Sequence, residues 1–180
     1  SVASRGLGDV YKRQLLAHPT MASDAVTGTA TVIDGDTLEI HGERIRLHGI
    51  DAPESHQTCT RLADGAKTLC GREAALKLSD RIGRSPVTCV PKDRDRYGRT
   101  VAICKAADGM DLNAWMVANG QAMAYRQYSQ DYVLFEDAAR RAGIGIWATE
   151  FTPPWDWRRQ SRADHVPSCL LYTSDAADEG

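Results

Sequence analysis

Apolar and polar residues alternate, or apolar residues run on at strand length, through three short stretches: "GTATVI" (28–33), "TLEI" (37–40) and "RIRLHGI" (44–50). They are separated by "DGD" and "HGE", tight-turn sequences, and so predict a three-stranded meander. The period then lengthens. Ala66, Leu69, Cys70, Ala74, Leu76 and Ile82 recur at roughly helical spacing, which predicts a helix within residues 65–83 that Gly83 ends. Two further strand-like runs, "VTCV" and "VAIC", flank "DRYGR" and predict a hairpin from Val87 to Cys104, centred on Arg96 and Tyr97.

In "DLNAWMVANG", Asp111 is a fitting N-cap and Gly120 a stop, giving a short helix with Leu112, Trp115 and Met116 on one face. A last helix is expected from Gln130 to Ala142, before "GIGIWA", whose Trp147 packs back on the core. Five strands and three helices without βαβ alternation predict a mainly β chain with helices, an α+β fold in which a small closed sheet has helices packed against it.

The two ends follow neither period. "SVASRGLGDVYKRQ" and "CLLYTSDAADEG" read as translated adaptor sequence. "LLAHPTMASDA", Leu15 to Ala25, reads either as the remnant of a secretory signal cleaved at Ser23-Asp24-Ala25 or as a loose leader with Met21 as an internal start. Residues 1–25 are therefore expected to be a leader, 26–160 the domain and 161–180 a tail.

Composition narrows the function classes. At 180 residues and 42% hydrophobic the chain has material for one domain with a real core. Lys and Arg total 22 against 24 Asp and Glu, a formal net charge of −2, so no general field gathers nucleic acid or an anionic membrane. Phosphates, if handled, must be met locally by placed arginines or a metal. No stretch reaches the length of a transmembrane helix.

The five cysteines form no C-x-x-C pair, and no histidines sit at zinc spacing, which argues against a structural zinc site. Setting Cys169 aside with the tail leaves Cys59, Cys70, Cys89 and Cys104. The hairpin would bring Cys89 opposite Cys104, as a disulfide or as two buried thiols. The disulfide reading agrees with the signal remnant, and Cys59 is expected to join Cys70 across the loop before the first helix. Disulfides and remnant together point to export, to a periplasm or the medium.

The chemistry is concentrated in "IDGDTLEIHGERIRLHGIDAPE". Asp34 and Asp36 sit on a tight turn around Gly35, and Asp51 and Glu54 stand where the third strand ends at Pro53. If these strands are neighbours, Asp36 and Asp51 converge at one sheet end, where hard carboxylate oxygens suit Ca²⁺ and leave positions open for a phosphate. Arg46 and Arg99 would supply fixed forks for phosphate oxygens. Each piece alone has a plainer reading: D-G-D as a solvated turn, a strand arginine pointing to water, "IDAPE" as a strand cap.

Together the turn "DGDT", "RLHGIDAPE" and "DRYGR", in this order and at these spacings, resemble the thermonuclease family of staphylococcal nuclease, from about Thr29 to Trp147. The resemblance implies an OB-type five-stranded β-barrel with three α-helices, and a Ca²⁺-dependent endonuclease that cleaves DNA and RNA to products ending in 3′-phosphates. It implies calcium ligation by the carboxylates of Asp36 and Asp51 and the carbonyl of Ala52, with Asp34 behind the metal. Glu54 takes the position of the general base, Arg46 and Arg99 those of the phosphate-binding arginines. Tyr97 and Tyr125 fall where aromatic residues line the nucleotide pocket, with Arg96 as the basic residue beside the first.

The chain also departs from the pattern. Ala52 stands where the best-known member has Thr, Gln127 where it has a second pocket tyrosine, and Tyr128 is the neighbouring candidate substitute. The four cysteines are additions. The implied partners are single-stranded DNA and RNA, the implied state a monomer without membrane association. Two other functions compete: a non-catalytic OB-type module that binds nucleic acid or a partner, and a Ca²⁺-binding structural domain. The first has no need of all five of Asp36, Arg46, Asp51, Glu54 and Arg99, and the second leaves the arginines unexplained.

Overall fold

A computed structural model describes residues 25–164. The leader before Ala25, its candidate cleavage site and Met21, Cys169 and the tail from 165 onward lie outside the described residues. In chain order the elements are β1 (Val26–Asp34), β2 (Thr37–Ile40), β3 (Glu43–Leu47), β4 (Ile50–Asp51), β5 (Cys59–Arg61), β6 (Lys67–Thr68), α1 (Cys70–Ile82), β7 (Pro86–Arg94) and β8 (Thr100–Lys105). Then follow α2 (Leu112–Ala118), β9 (Met123–Ala124), α3 (Val133–Ala142), a 3₁₀ turn (Gly145–Ala148), β10 (Thr149–Glu150) and α4 (Pro154–Asp164).

β1, β2, β3, β8 and β7 close into a barrel in that order. β1, β2 and β3 form the expected antiparallel meander, β3 pairs with β8 in parallel, and β7 closes back on β1. This is the five-stranded, OB-type barrel that the strand pattern and the resemblance predicted. Its interior is filled by the inward residues of the strands, Leu38, Ile40, Ile45, Leu47, Val87 and Ala102, together with Leu78 of α1 and Leu112 and Met116 of α2. Burying each of the larger aliphatic side chains contributes roughly 1.5–3 kcal/mol. The β7–β8 hairpin sets Cys89 opposite Cys104, and the two are joined as a disulfide; a second disulfide joins Cys59 of β5 to Cys70 at the start of α1.

Several elements differ from the sequence pattern, each for a local reason. The run "RIRLHGI" does not stay in one strand. β3 ends at Leu47, the chain turns at His48 and Gly49, and Ile50–Asp51 pair instead with Met123–Ala124. α1 begins at Cys70 because Lys67–Thr68 are taken up by pairing with Cys59 and Thr60. Its buried stripe is Cys70, Ala74, Leu78 and Ile82, while Leu69 and Leu76, two of the positions at helical spacing, are exposed. α3 starts at Val133 because the Ser129 hydroxyl accepts from the Asp131 amide and holds the preceding residues in a turn.

A fourth helix, α4, was not anticipated. Pro154 occupies its first position, where a missing N–H costs nothing. A second, smaller apolar cluster leads the chain into it. Cys59, Cys70, Met123 and Ile146 are buried there, with Trp147, Phe151 and Trp155 packed against them, which places Trp147 back on the body of the protein as expected.

Candidate active site

Strand register brings the acids to one end of the barrel. Thr37 pairs directly with Arg46 across β2 and β3, so the arginine lies beside the residue that follows Asp36. The Leu47 amide donates to the Asp36 carbonyl at 2.8 Å. Asp51 is set from the other side by its pairing with Met123. Two glycines permit the close packing between these pieces. A Cβ on Gly35 would stand 2.8 Å from the Ala52 methyl and 2.9 Å from that of Ala74, and one on Gly71 would stand 1.7 Å from the Glu54 carbonyl oxygen. The Asp34–Asp36 turn therefore rests on Ala52 and α1, and the start of α1 rests on the loop that carries Glu54.

Asp36 is 6% exposed and Asp51 wholly buried. Arg46 Nη2 lies between them, 3.0 Å from Asp36 Oδ2 and 2.7 Å from Asp51 Oδ1. Thr37 Oγ1 donates to Asp36 Oδ1 at 3.0 Å, and the amide of Ala52, itself buried, reaches Asp36 Oδ2 at 3.4 Å. Burial raises the Asp51 carboxyl above the ordinary carboxylate range; hydrogen bonds from Arg158 oppose this and the nearby charge of Asp36 adds to it. Asp34 is raised as well, first by burial, then by the charges of Asp36 and Glu54, while Arg99 and a hydrogen bond with Ser55 pull the other way. Asp34 thus sits in the field of three groups on which the sequence reading depends.

Arg99 is held by its own turn. The Asp95 carboxylate accepts from the Tyr97 amide at 2.9 Å, from the Arg99 amide at 3.0 Å and from Arg99 Nε at 2.7 Å. Burial would raise the Asp95 carboxyl, but these hydrogen bonds outweigh it and hold the group below its usual value. Tyr97 is exposed on the same hairpin, its ring centroid 4.9 Å from the Arg96 guanidinium and 5.6 Å from that of Arg99. The Arg96 guanidinium also donates to the Tyr97 hydroxyl at 2.8 Å.

Tyr125 follows β9, and its amide donates to the Gly49 carbonyl at 2.9 Å. The buried carboxylate of Glu136 fixes this stretch, accepting from the Ala124 amide and the Arg126 guanidinium, each at 2.6 Å. Tyr128 packs edge-on against Tyr125 at 4.8 Å and is otherwise open to solvent.

The structure therefore gathers Asp36, Arg46, Asp51, Ala52 and Glu54 at one end of the barrel, with Asp34 in the same electrostatic environment. Arg96, Tyr97 and Arg99 belong to the hairpin turn, and Tyr125 and Tyr128 to the segment after β9.

Three participants escaped sequence reading. Arg158 of α4 forks onto Asp51, Nη2 at 2.6 Å from Oδ2 and Nη1 at 3.0 Å from Oδ1, and Nη1 also reaches Glu54 Oε1 at 2.8 Å. Burial works against its charge, yet these carboxylates raise its pKa above the ordinary arginine value. Trp155, three residues earlier, stacks on Tyr125 with centroids 5.6 Å apart and planes 7° from parallel. Gln57, wholly buried, accepts from the Glu54 amide at 3.2 Å and donates to the Thr152 carbonyl at 2.6 Å, which ties the Glu54 loop to the segment before α4. The signal available for α4 was a proline at a helix start, with an aromatic and a basic residue three apart on one face.

The donor chemistry at Asp36 and Asp51 fits a hard divalent cation: two buried carboxylates, close enough that the charge of Asp36 adds to the raised proton affinity of Asp51, at present compensated by guanidinium. No group of three or more His, Cys, Asp or Glu side chains among the described residues is arranged to share an ion. A cation would therefore draw its other ligands from backbone carbonyl and water.

Comparison with known proteins gives a consistent result. The sequence model of the family described as staphylococcal nuclease homologue matches residues 44–149. The chain is 37% identical over 171 residues to the succinoglycan biosynthesis protein ExoI of Rhizobium meliloti, covering 94% of this chain and 88% of that one. It is 34% identical over 153 residues to an uncharacterized endonuclease of Escherichia coli O157:H7, covering 81% and 93%. With a micrococcal nuclease of Shigella flexneri it shares 34% over 148 residues, covering 73% and 79%.

Proposed function

The chain belongs to the staphylococcal nuclease family, and from that membership we propose that it is a Ca²⁺-dependent endonuclease that hydrolyses phosphodiester bonds of single-stranded DNA and RNA to products ending in 3′-phosphates. The observation that carries the proposal is the buried pair Asp36 and Asp51 bridged by Arg46, with Glu54 linked to the same cluster. The nuclease and endonuclease names of its relatives support the same activity.

A phosphodiester is anionic and repels an attacking oxygen, so its charge must be offset before attack. Asp36, Asp51 and the Ala52 carbonyl would hold Ca²⁺, which when bound supplies Lewis-acid neutralisation of a phosphate oxygen. Arg46 and Arg99 offer guanidinium forks to the equatorial oxygens of the five-coordinate transition state, where an extra negative charge develops. Glu54 accepts the proton of the attacking water. The water oxygen bonds to phosphorus, the bond from phosphorus to the 5′-oxygen breaks, and the leaving oxygen takes up a proton. The products are a 3′-phosphate and a 5′-hydroxyl. Tyr97 and Tyr125 provide aromatic faces for bases, with Tyr128 beside the second, and Arg96 adds a positive charge next to the first. Asp34 acts behind the cation's ligands by holding negative potential on the turn.

Two disulfides accord with an oxidising compartment, which supports export. No helix among the described residues is long and apolar enough to cross a membrane. The test is incubation of the purified protein with heat-denatured DNA. Cleavage is expected in Ca²⁺, far less in Mg²⁺, which demands tight octahedral geometry and holds its waters firmly. Undiminished cleavage in excess chelator would overturn the calcium reading.

A further inference from the structure

α4 rests on groups that the proposed reaction needs free. The Arg158 fork engages both carboxylate oxygens of Asp51 and one of Glu54, the intended cation ligand and the intended base. Trp155 lies flat on Tyr125 in the geometry of a stacked base. Two side chains of one helix, three residues apart, thus stand in for the two halves of a substrate complex: a cation on the acids and a base on the aromatic platform.

We propose that Arg158 and Trp155 are further active-site residues that hold the site closed, Arg158 in place of the cation on Asp51 and Trp155 in place of a nucleobase on Tyr125, and that α4 leaves when cation and strand bind. This rests on the reading of Asp36, Asp51 and Ala52 as the cation site. Geometry favours exchange over coexistence. Both Asp51 oxygens already accept from guanidinium, Oδ1 from Arg46 and Arg158 and Oδ2 from Arg158, so a cation that takes Oδ2 displaces the fork.

The fold gives α4 a natural point at which to part. Upstream of it the chain is fastened by β10 pairing with β5, by the Gln57 contact to the Thr152 carbonyl, and by Trp147 and Phe151 on the Cys59–Cys70 cluster. Pro153 and Pro154 follow directly. Beyond them, the contacts of α4 to the rest of the protein include the Arg158 fork, the Trp155 stack with its packing on that cluster, and Trp157 near His56, with ring centroids 6.3 Å apart. Release of α4 leaves the barrel and both disulfides as they are.

The test is Ca²⁺ binding to the full chain without nucleic acid, by titration calorimetry, for wild type, Arg158→Gln and Arg158→Lys, with amide hydrogen exchange of residues 154–164 as the second readout. A charge-assisted fork that must be given up lowers apparent affinity by the fraction of open molecules. Arg158→Gln should therefore bind Ca²⁺ at least about tenfold more tightly than wild type, with Arg158→Lys between them. In wild type, exchange in α4 should speed up on addition of Ca²⁺. Arg158→Lys keeps the charge and guards against a variant that does not fold. Equal or weaker Ca²⁺ binding by the folded variants, or exchange in α4 that slows with Ca²⁺, overturns the proposal and leaves the nuclease reading standing. Absence of Ca²⁺ binding in all three proteins overturns the cation site and the proposal with it.

Discussion

Arg46 and Arg158 hold the same carboxylate and reach it by opposite routes. Arg46 belongs to a barrel strand, paired on one side with Thr37 and on the other with Val101, five residues from its partner in sequence. Arg158 belongs to a helix outside the barrel, 107 residues from Asp51, and no strand pairing fixes its place. Removing Arg46 would leave two buried acids facing one another inside the framework. Removing Arg158 would uncover an acid at the framework's edge. A charge built into a ladder is part of the fold, whereas on our proposal a charge brought in by a helix outside the barrel is exchangeable for another cation.

The largest effect expected from this difference is at Asp36. Asp36→Ala should abolish cleavage while the fold persists, because Arg46 keeps Asp51 as its partner and Thr37 keeps its place in the β2–β3 ladder. Circular dichroism and thermal unfolding beside a plasmid-cleavage assay check both halves. An unfolded variant would mean that the acids hold the barrel together and that the division between framework and exchangeable charge is wrong.

Next in size is Arg99, which neither barrel pairing nor α4 controls, since its own turn holds it through Asp95. Arg99→Lys keeps the charge but loses the planar fork, and loss of a preorganised donor typically costs about 10²- to 10³-fold in turnover. Affinity for a short oligonucleotide should fall much less, because it is shared with Arg46 and the tyrosines. Single-turnover cleavage beside the binding constant separates the two. A joint decline of a few-fold in both would make Arg99 a binding residue only.

The two disulfides divide along the same line. Cys89–Cys104 lies inside the β7–β8 ladder, while Cys59–Cys70 joins β5 to the start of α1 beside Gln57, whose carbonyl oxygen lies 3.4 Å from the Cys70 sulfur. Losing a native disulfide from a small domain typically costs about 2–5 kcal/mol. The Cys89→Ala/Cys104→Ala pair should lower thermal stability more, and the Cys59→Ala/Cys70→Ala pair should lower turnover more, because the loop of Glu54 loosens. Paired melting curves and cleavage rates decide it; the reverse ranking would place the catalytic loop under the barrel's control.

What could be read from the residues follows this division. Asp34, Asp36, Arg46, Asp51 and Glu54 stand within 21 positions, on turns and strand ends whose chemistry is local, so period, turn residues and strand ends sufficed to bring them to one end of a small barrel. The hairpin that joins Cys89 to Cys104 and presents Arg99 was equally local. Leu69 and Leu76 recur at helical spacing yet are exposed, because apolar spacing alone does not reveal which face a disulfide and a short strand turn inward. α4 was missed for a deeper reason. "PPWDWRRQSRAD" carries no continuous apolar stripe, and its contacts to Asp51, Glu54 and Tyr125 span the length of the domain, so nothing within a helical window announces them.

Gln57 is where framework and helix meet, and the smallest expected effect lies there. Its side chain accepts from the Glu54 amide and donates to the Thr152 carbonyl, so one residue steadies the Glu54 loop and tethers the segment that leads into α4. Gln57→Met keeps the volume and removes both hydrogen bonds, leaving a half-buried donor and a half-buried acceptor without their partner, at a cost of roughly 1–3 kcal/mol in stability for the two bonds together. The barrel acids are untouched, so turnover should fall only a few-fold. A slackened tether should raise the open fraction of α4, and apparent Ca²⁺ affinity should rise about twofold, in the direction expected of Arg158→Gln but smaller. In the double variant that gain should shrink, since the loss of Arg158 has already shifted most of α4 to its open state and leaves the tether less closed state to favour. Additive gains from the two substitutions would show that Gln57 acts on the cation site through the Glu54 loop alone, and that the helix and the barrel end are less closely linked than their shared contacts imply.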